Sequence, residues 1–139
     1  PNLKAEHDRY VAKKAKADAL LEIEKQLEKE DSYKEAKAKF FGIVISNGLI
    51  NIRVLESVAE IITEGKAMKH CVSTYHSKED SLILSACING KRIETIEVSI
   101  SQLKVIQSRG SCNKMTKYHN QIINLVNENI SLIEERMVA

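Results

Sequence analysis

No apolar run in these 139 residues approaches the length of a membrane span, and no charged-then-apolar leader opens the chain. Neither a membrane partner nor a signal peptide is expected, and the chain reads as cytoplasmic. Cysteine is sparse: Cys71, Cys87 and Cys112 are odd in number, far apart, and form no CxxC pair. That spacing argues against a disulfide framework and offers no metal site, leaving reduced thiols as the expectation. An excess of one charge is lacking too, since 21 Lys and Arg face 19 Asp and Glu for a formal net charge of +2. So small an excess does not itself indicate nucleic acid, and any basic footprint has to be local. There is no initiator methionine, so the chain is expected to be a segment or processed product of something longer. Internal repeats and low-complexity linkers are also missing, and the length suits one domain with a proper core.

Proline occurs only at position 1, and residues 3 to about 30 hold no glycine but much Ala, Lys, Glu and Leu. That composition favours helix. Its apolar stripe is thin: Leu20, Ile23 and Leu27 keep helical spacing, while the first half offers Leu3, Tyr10, Val11 and alanines. Residues 1–38 are therefore predicted to form a charged helical arm that projects or docks on a protein partner, with residues 39–139 as the compact domain. Arg9, Lys13, Lys14 and Lys16 followed by Glu22, Glu24, Glu28 and Glu30 read as a solvated face with paired charges. Phosphate-backbone contact there is diluted by Asp8 and Asp18. A break at Asp31, with Ser32 and Glu35 as a capping box, predicts a restarted short helix toward Phe40.

Two Asn-Gly pairs mark tight turns. Residues 41–45 and 49–54 flank Asn47-Gly48, and residues 81–88 and 92–100 flank Asn89-Gly90, with a further strand at 103–109. Ser57 and Glu60 form a second capping box, starting a helix that Gly65 can stop, and Thr116 is placed to cap a final helix through Ile122, Val126, Ile130, Ile133 and Met137. The predicted fold class is α+β: antiparallel β-hairpins in a meander, packed with helices on one side and preceded by a long charged N-terminal helix.

The stretch EGKAMKHCVSTYHS, residues 64 to 77, gathers the most chemistry. Plotted as a helix from Lys66 to Ser77, it clusters Ala67, Met68, Cys71, Val72 and Tyr75 on one face. Cys71 then reads as a small core residue, whereas a nucleophile would need access and a lowered pKa. His70, Ser73, Thr74 and Ser77 form a polar stripe beside that face. His70 there is either a satisfied structural histidine or an acid, base or anion contact. In the strand 103–109, Leu103, Val105, Gln107 and Arg109 share a face. An inward Arg109 needs an anion, a ring or a carboxylate, and Glu94 or Glu97 is the structural alternative. The loop Arg109-Gly110-Ser111-Cys112-Asn113 follows. Its amides can hold a phosphate or carboxylate, although one glycine falls short of a P-loop, and a plain turn capped by Asn113 or Thr116 is the competing reading.

Glu64-Gly65, His70-Cys71-Val72, Tyr75, Ser81 to Leu84, GKRIETIEV at 90–98, and Gln107 to Gly110 with Asn113 occur in an order and spacing that resembles the PcfJ-like family. The resemblance covers about residues 40 to 135. Two positions depart from it: Lys69 stands where the family often has a second histidine or an apolar residue, and Ser73 where it often has glycine. The resemblance implies a context, mobile elements such as conjugative plasmids, transposons and phages, rather than a reaction. Three functions are then in play. One is a nucleic-acid or nucleotide binding module using Arg109, Gly110, Asn113, Ser73 and Thr74. Another is an enzyme on such a ligand, of ADP-ribosyl-transfer or other His-dependent type, in which His70, Tyr75 and Gln107 act. The third is an assembly element working through the helical arm. No cofactor is indicated, and a metal-dependent nuclease is disfavoured because no paired carboxylates stand at ligand spacing.

Overall fold

The computed structural model describes residues 3–138. Helix α1 runs unbroken over Leu3–Lys37. The predicted break at Asp31 and Ser32 does not occur, because neither residue is a helix breaker and α1 is fastened to the domain on both sides of them. Glu30 accepts from the amides of Val58 (2.6 Å) and Ala59 (3.3 Å), the Tyr33 hydroxyl donates to Leu55 O (2.6 Å), and Lys37 Nζ donates to Lys78 O (3.2 Å) and Glu79 O (2.7 Å). Tyr33 and Lys37 are buried, whereas Leu20, Ile23 and Leu27 stay more than half exposed. A 3-10 turn, Ala38–Phe40, follows and buries Phe40 completely.

Strands β1 (Val44–Ser46), β2 (Asn51–Val54), β3 (Ser81–Ile88), β4 (Lys91–Ser99) and β5 (Lys104–Arg109) form one five-stranded meander in chain order, every neighbouring pair antiparallel. With the long charged helix in front and helices packed against it, the fold is α+β. Helices cover both faces of the sheet, not one. On the first face, Tyr33 of α1, Val58 and Ile61 of α2 (Val58–Met68), and Val72 pack on Leu55 and Ile83. The opposite face packs Ile52, Leu82, Leu84, Ile96 and Val98 against Ile122, Leu125 and Val126 of α3 (His119–Glu128) and Ile133 of α4 (Ser131–Met137). Two faces are possible because β3 is apolar on both: Leu82 and Leu84 point one way and Ile83 the other.

The C-terminal helix is split in two at Asn129, whose amide side chain donates to Leu125 O (2.8 Å). Its predicted cap is also displaced. Tyr118 is the N-cap residue, and the Thr116 hydroxyl instead donates to Glu94. Ser57 does cap α2, accepting from the Glu60 amide at 3.0 Å. Gly65 does not end that helix, which continues to Met68 and terminates at Lys69, φ 53°.

Candidate functional site

Everything at the candidate site follows from how α2 ends. A left-handed residue at Lys69 turns the chain back, and a 3-10 segment, Val72–Ser77, follows. The predicted helix over 66–77 is therefore absent, and residues after Met68 do not inherit its phase. Val72 takes the inward position, while Cys71 is exposed instead of buried in the core. The return path runs tight against α2: the His70 amide donates to Gly65 O (3.2 Å), and a Cβ on Gly65 would sit 3.3 Å from His70 O. The predicted polar stripe is broken up by the same turn. Ser73 is half-buried and Thr74 exposed, with the Thr74 carbonyl accepting from Ser77 Oγ (3.1 Å), and neither side chain joins His70 in the cleft described next.

A cleft of about 250 Å³ opens between this segment and the sheet, lined by His70, Cys71, Val72, Tyr75, Ile83, Thr95, Ile96, Glu97, Gln107, Arg109 and Asn113. Of the residues singled out from sequence, His70, Tyr75, Gln107, Arg109 and Asn113 are brought together here. Gly110 is not among the lining residues. It is buried, its amide donates to Lys114 O (2.7 Å), and an added Cβ would lie 2.7 Å from Thr116 Cγ2. Gly110 thus lets two chain segments touch rather than cradling an anion. Cys112 and Asn113 follow it in left-handed conformation, φ 58° and 63°.

Two carboxylates organise the floor and wall. Glu64, 1 % exposed, accepts from Ser85 Oγ (3.0 Å), Arg92 Nε (2.7 Å) and Thr95 Oγ1 (2.5 Å). Since the one proton of Thr95 goes to Glu64, the same oxygen accepts from His70 Nε2–H at 3.0 Å, which assigns the lone pair of a neutral His70 to Nδ1. Burial pulls the His70 pKa below its ordinary value, against the opposing pull of its own backbone and of Glu64. Glu97 accepts from Ser81 Oγ (2.5 Å), Lys78 Nζ (3.4 Å) and Gln107 Nε2 (3.0 Å), and Gln107 reaches on to the Tyr75 hydroxyl (3.3 Å). Lys78 Nζ lies 3.7 Å from the centre of the Tyr75 ring.

Arg109 differs from these groups. Neither Glu94 nor Glu97 pairs with it, and among the described residues no carboxylate lies within ion-pair distance. Half-buried, it donates from Nη1 to Ser108 O (3.1 Å). The strand's predicted shared face also needs correcting. A register shift between Glu97 and Val98 places Val105 opposite Val98, on the α3 side, while Gln107 stays opposite Glu97 on the cleft side. Leu103 lies before the strand at φ 51°.

Glu94 and Glu97 were expected only as partners for Arg109, and Glu64 only as part of a motif, although sequence signals for their burial existed. Glu64 stands three residues after Ile61 and four before Met68, on the apolar face of α2, and Glu94 alternates with Ile96 and Val98 on β4. Glu94, fully buried, accepts from Ser108 Oγ (2.6 Å), the Thr116 amide (2.8 Å) and hydroxyl (2.7 Å), and His119 Nδ1 (2.8 Å). Among the described residues no three His, Cys, Asp or Glu side chains gather as a metal site, and no helix is long and apolar enough to cross a membrane.

The family model for PcfJ-like protein matches residues 1–123, and the chain belongs to that family. The match takes in α1, which the motif resemblance did not reach. No curated protein and no solved structure matches the chain.

Proposed function

We propose that the cleft binds the anionic part of a nucleotide or nucleic acid, with Arg109 as the charged contact and Asn113, Gln107 and Tyr75 as polar partners. One observation carries this reading. Arg109 faces a cleft without a carboxylate partner, whereas the acids nearby, Glu64 and Glu97, are each committed to three donors. A half-buried guanidinium in that state gains most from an added anion, which it can grip bidentately. The setting that fits is the cytoplasmic machinery for transfer or maintenance of a mobile element.

Fluorescence titration with a labelled nucleotide at low salt tests the reading. Wild type binds, added salt weakens the binding, and Arg109→Ala lowers affinity roughly 10- to 100-fold, the worth of a charged hydrogen bond. Affinity unchanged in Arg109→Ala, or no binding at low salt, would contradict it.

A second reading rests on the chain His70, Thr95, Glu64. A buried carboxylate orients a hydroxyl that holds one nitrogen of a neutral imidazole, leaving Nδ1 as a base. On that reading the domain is an enzyme on a nucleotide or nucleic acid, of ADP-ribosyl-transfer or other His-dependent type. Turnover that survives both His70→Ala and Gln107→Ala would reject it.

A further inference from the structure

We infer that the ligand is a strand rather than a free nucleotide: single-stranded nucleic acid crossing the edge strand β5 from the His70 cleft into a second cleft beyond it. This rests on the anion-binding reading of Arg109 and says what kind of anion it meets. β5 is the last strand of the sheet and pairs only with β4. On its other side a cleft of about 210 Å³ is lined by Lys104, Ile106, Arg109, His119, Ile123 and Asn127, among others, and no carboxylate lines it. Arg109 and Gln107 line both clefts. A group bound by Arg109 is therefore within reach of either side, and the two clefts form a track around one guanidinium.

The second cleft has the features a strand requires. Lys104 is exposed, and among the described residues it makes no ion pair. Lys104 and Arg109 stand at the two ends of β5, so the cations mark both ends of the edge strand. Ile106 and Ile123 supply apolar surface for a base, the residue beside them being His119, whose Nδ1 is held by Glu94 so that Nε2 is its remaining polar atom. Each cleft has room for a phosphate or an unpaired base. Cations tracking a backbone beside sites for unpaired bases are the usual means of binding single strands.

Titrations of a thymidine mononucleotide and a short oligothymidylate, each across a salt series, test the inference with wild type, Arg109→Ala and Lys104→Ala. Wild type is expected to bind the oligonucleotide roughly tenfold or more tighter, as linked contacts do. Lys104→Ala should flatten the oligonucleotide's salt dependence by about 0.7 in log–log slope, the share of one phosphate on a single strand, and leave mononucleotide binding unchanged. Equal affinity for the two ligands, or an unaltered slope in Lys104→Ala, would overturn the strand while leaving the mononucleotide reading in place. Mononucleotide binding that survives Arg109→Ala would overturn both.

Discussion

Glu64 and Glu94 are both sealed from water, yet they face opposite sides of the same sheet and hold their histidines differently. Glu94 takes His119 directly, together with three donors from Ser108 and Thr116. Glu64 reaches His70 only through Thr95, and spends its other contacts on Ser85 and Arg92. The direct contact ties β4, β5 and the start of α3 into one corner. The indirect one fixes an imidazole at a cleft while keeping a hydroxyl between it and the charge. One device, a saturated buried carboxylate, thus serves a structural joint on one face and the presentation of a side chain on the other.

The largest effect is expected of Glu94→Ala, which strands four donors, the Ser108 hydroxyl buried and those of Thr116 and His119 partly so. It is expected to cost about 3–5 kcal/mol, the usual result of removing one member of a buried polar set. Urea denaturation measures it, and a loss under about 1 kcal/mol would mean that the corner is held by packing alone. Glu64→Gln should cost less, about 1.5–3 kcal/mol, because Arg92 is partly exposed and water replaces its lost partner. A ranking of Glu64→Gln above Glu94→Ala would reverse the assignment of joint and presenter.

Smaller effects come from pH. Desolvation raises the Glu94 pKa, but its hydrogen bonds from Ser108, Thr116 and His119 outweigh that and hold it below the ordinary 4.5. A depressed carboxylate stabilises the fold above its unfolded pKa, and that contribution disappears as pH falls through the depressed value. Glu94→Gln should therefore flatten the acid limb of the stability curve below about pH 4.5. His70 behaves oppositely in charge but alike in direction. Its folded pKa is lowered from 6.5, so the unfolded chain binds the proton first and stability declines as pH drops below that value. His70→Gln should remove a shallow step there, and an unchanged profile would mean that His70 is not held neutral.

The hairpins were legible in the sequence because their turns carry their own chemistry. Asn89 and Gly90 both adopt positive φ, and the strands they join fall within a residue of expectation. Ser57 was legible as a cap for the same reason. What misled was local chemistry overruled by distant contacts: Ser32 and Glu35 match a capping box, but Glu30, Tyr33 and Lys37 bind the domain in helical phase and carry α1 straight through. The turn at Lys69 has no local signature, since lysine has no special tolerance of positive φ, and the phase of residues 70–77 was lost with it. Gln107 and Arg109 emerged on the cleft side although the β5 bulge broke the alternation that had grouped them with Val105. The inward carboxylates were visible in the apolar periodicity around them. Their partners, on distant strands and loops, were not.

In the proposed binding mode the anionic ligand sits in the cleft between His70 and Arg109. Amide and side-chain chemical-shift mapping during titration with the short oligothymidylate tests that placement. The largest shifts are expected at His70, Thr95, Gln107, Arg109 and Asn113, and on β5 toward Lys104. Shifts confined to α1, or none across the cleft at low salt, would contradict it.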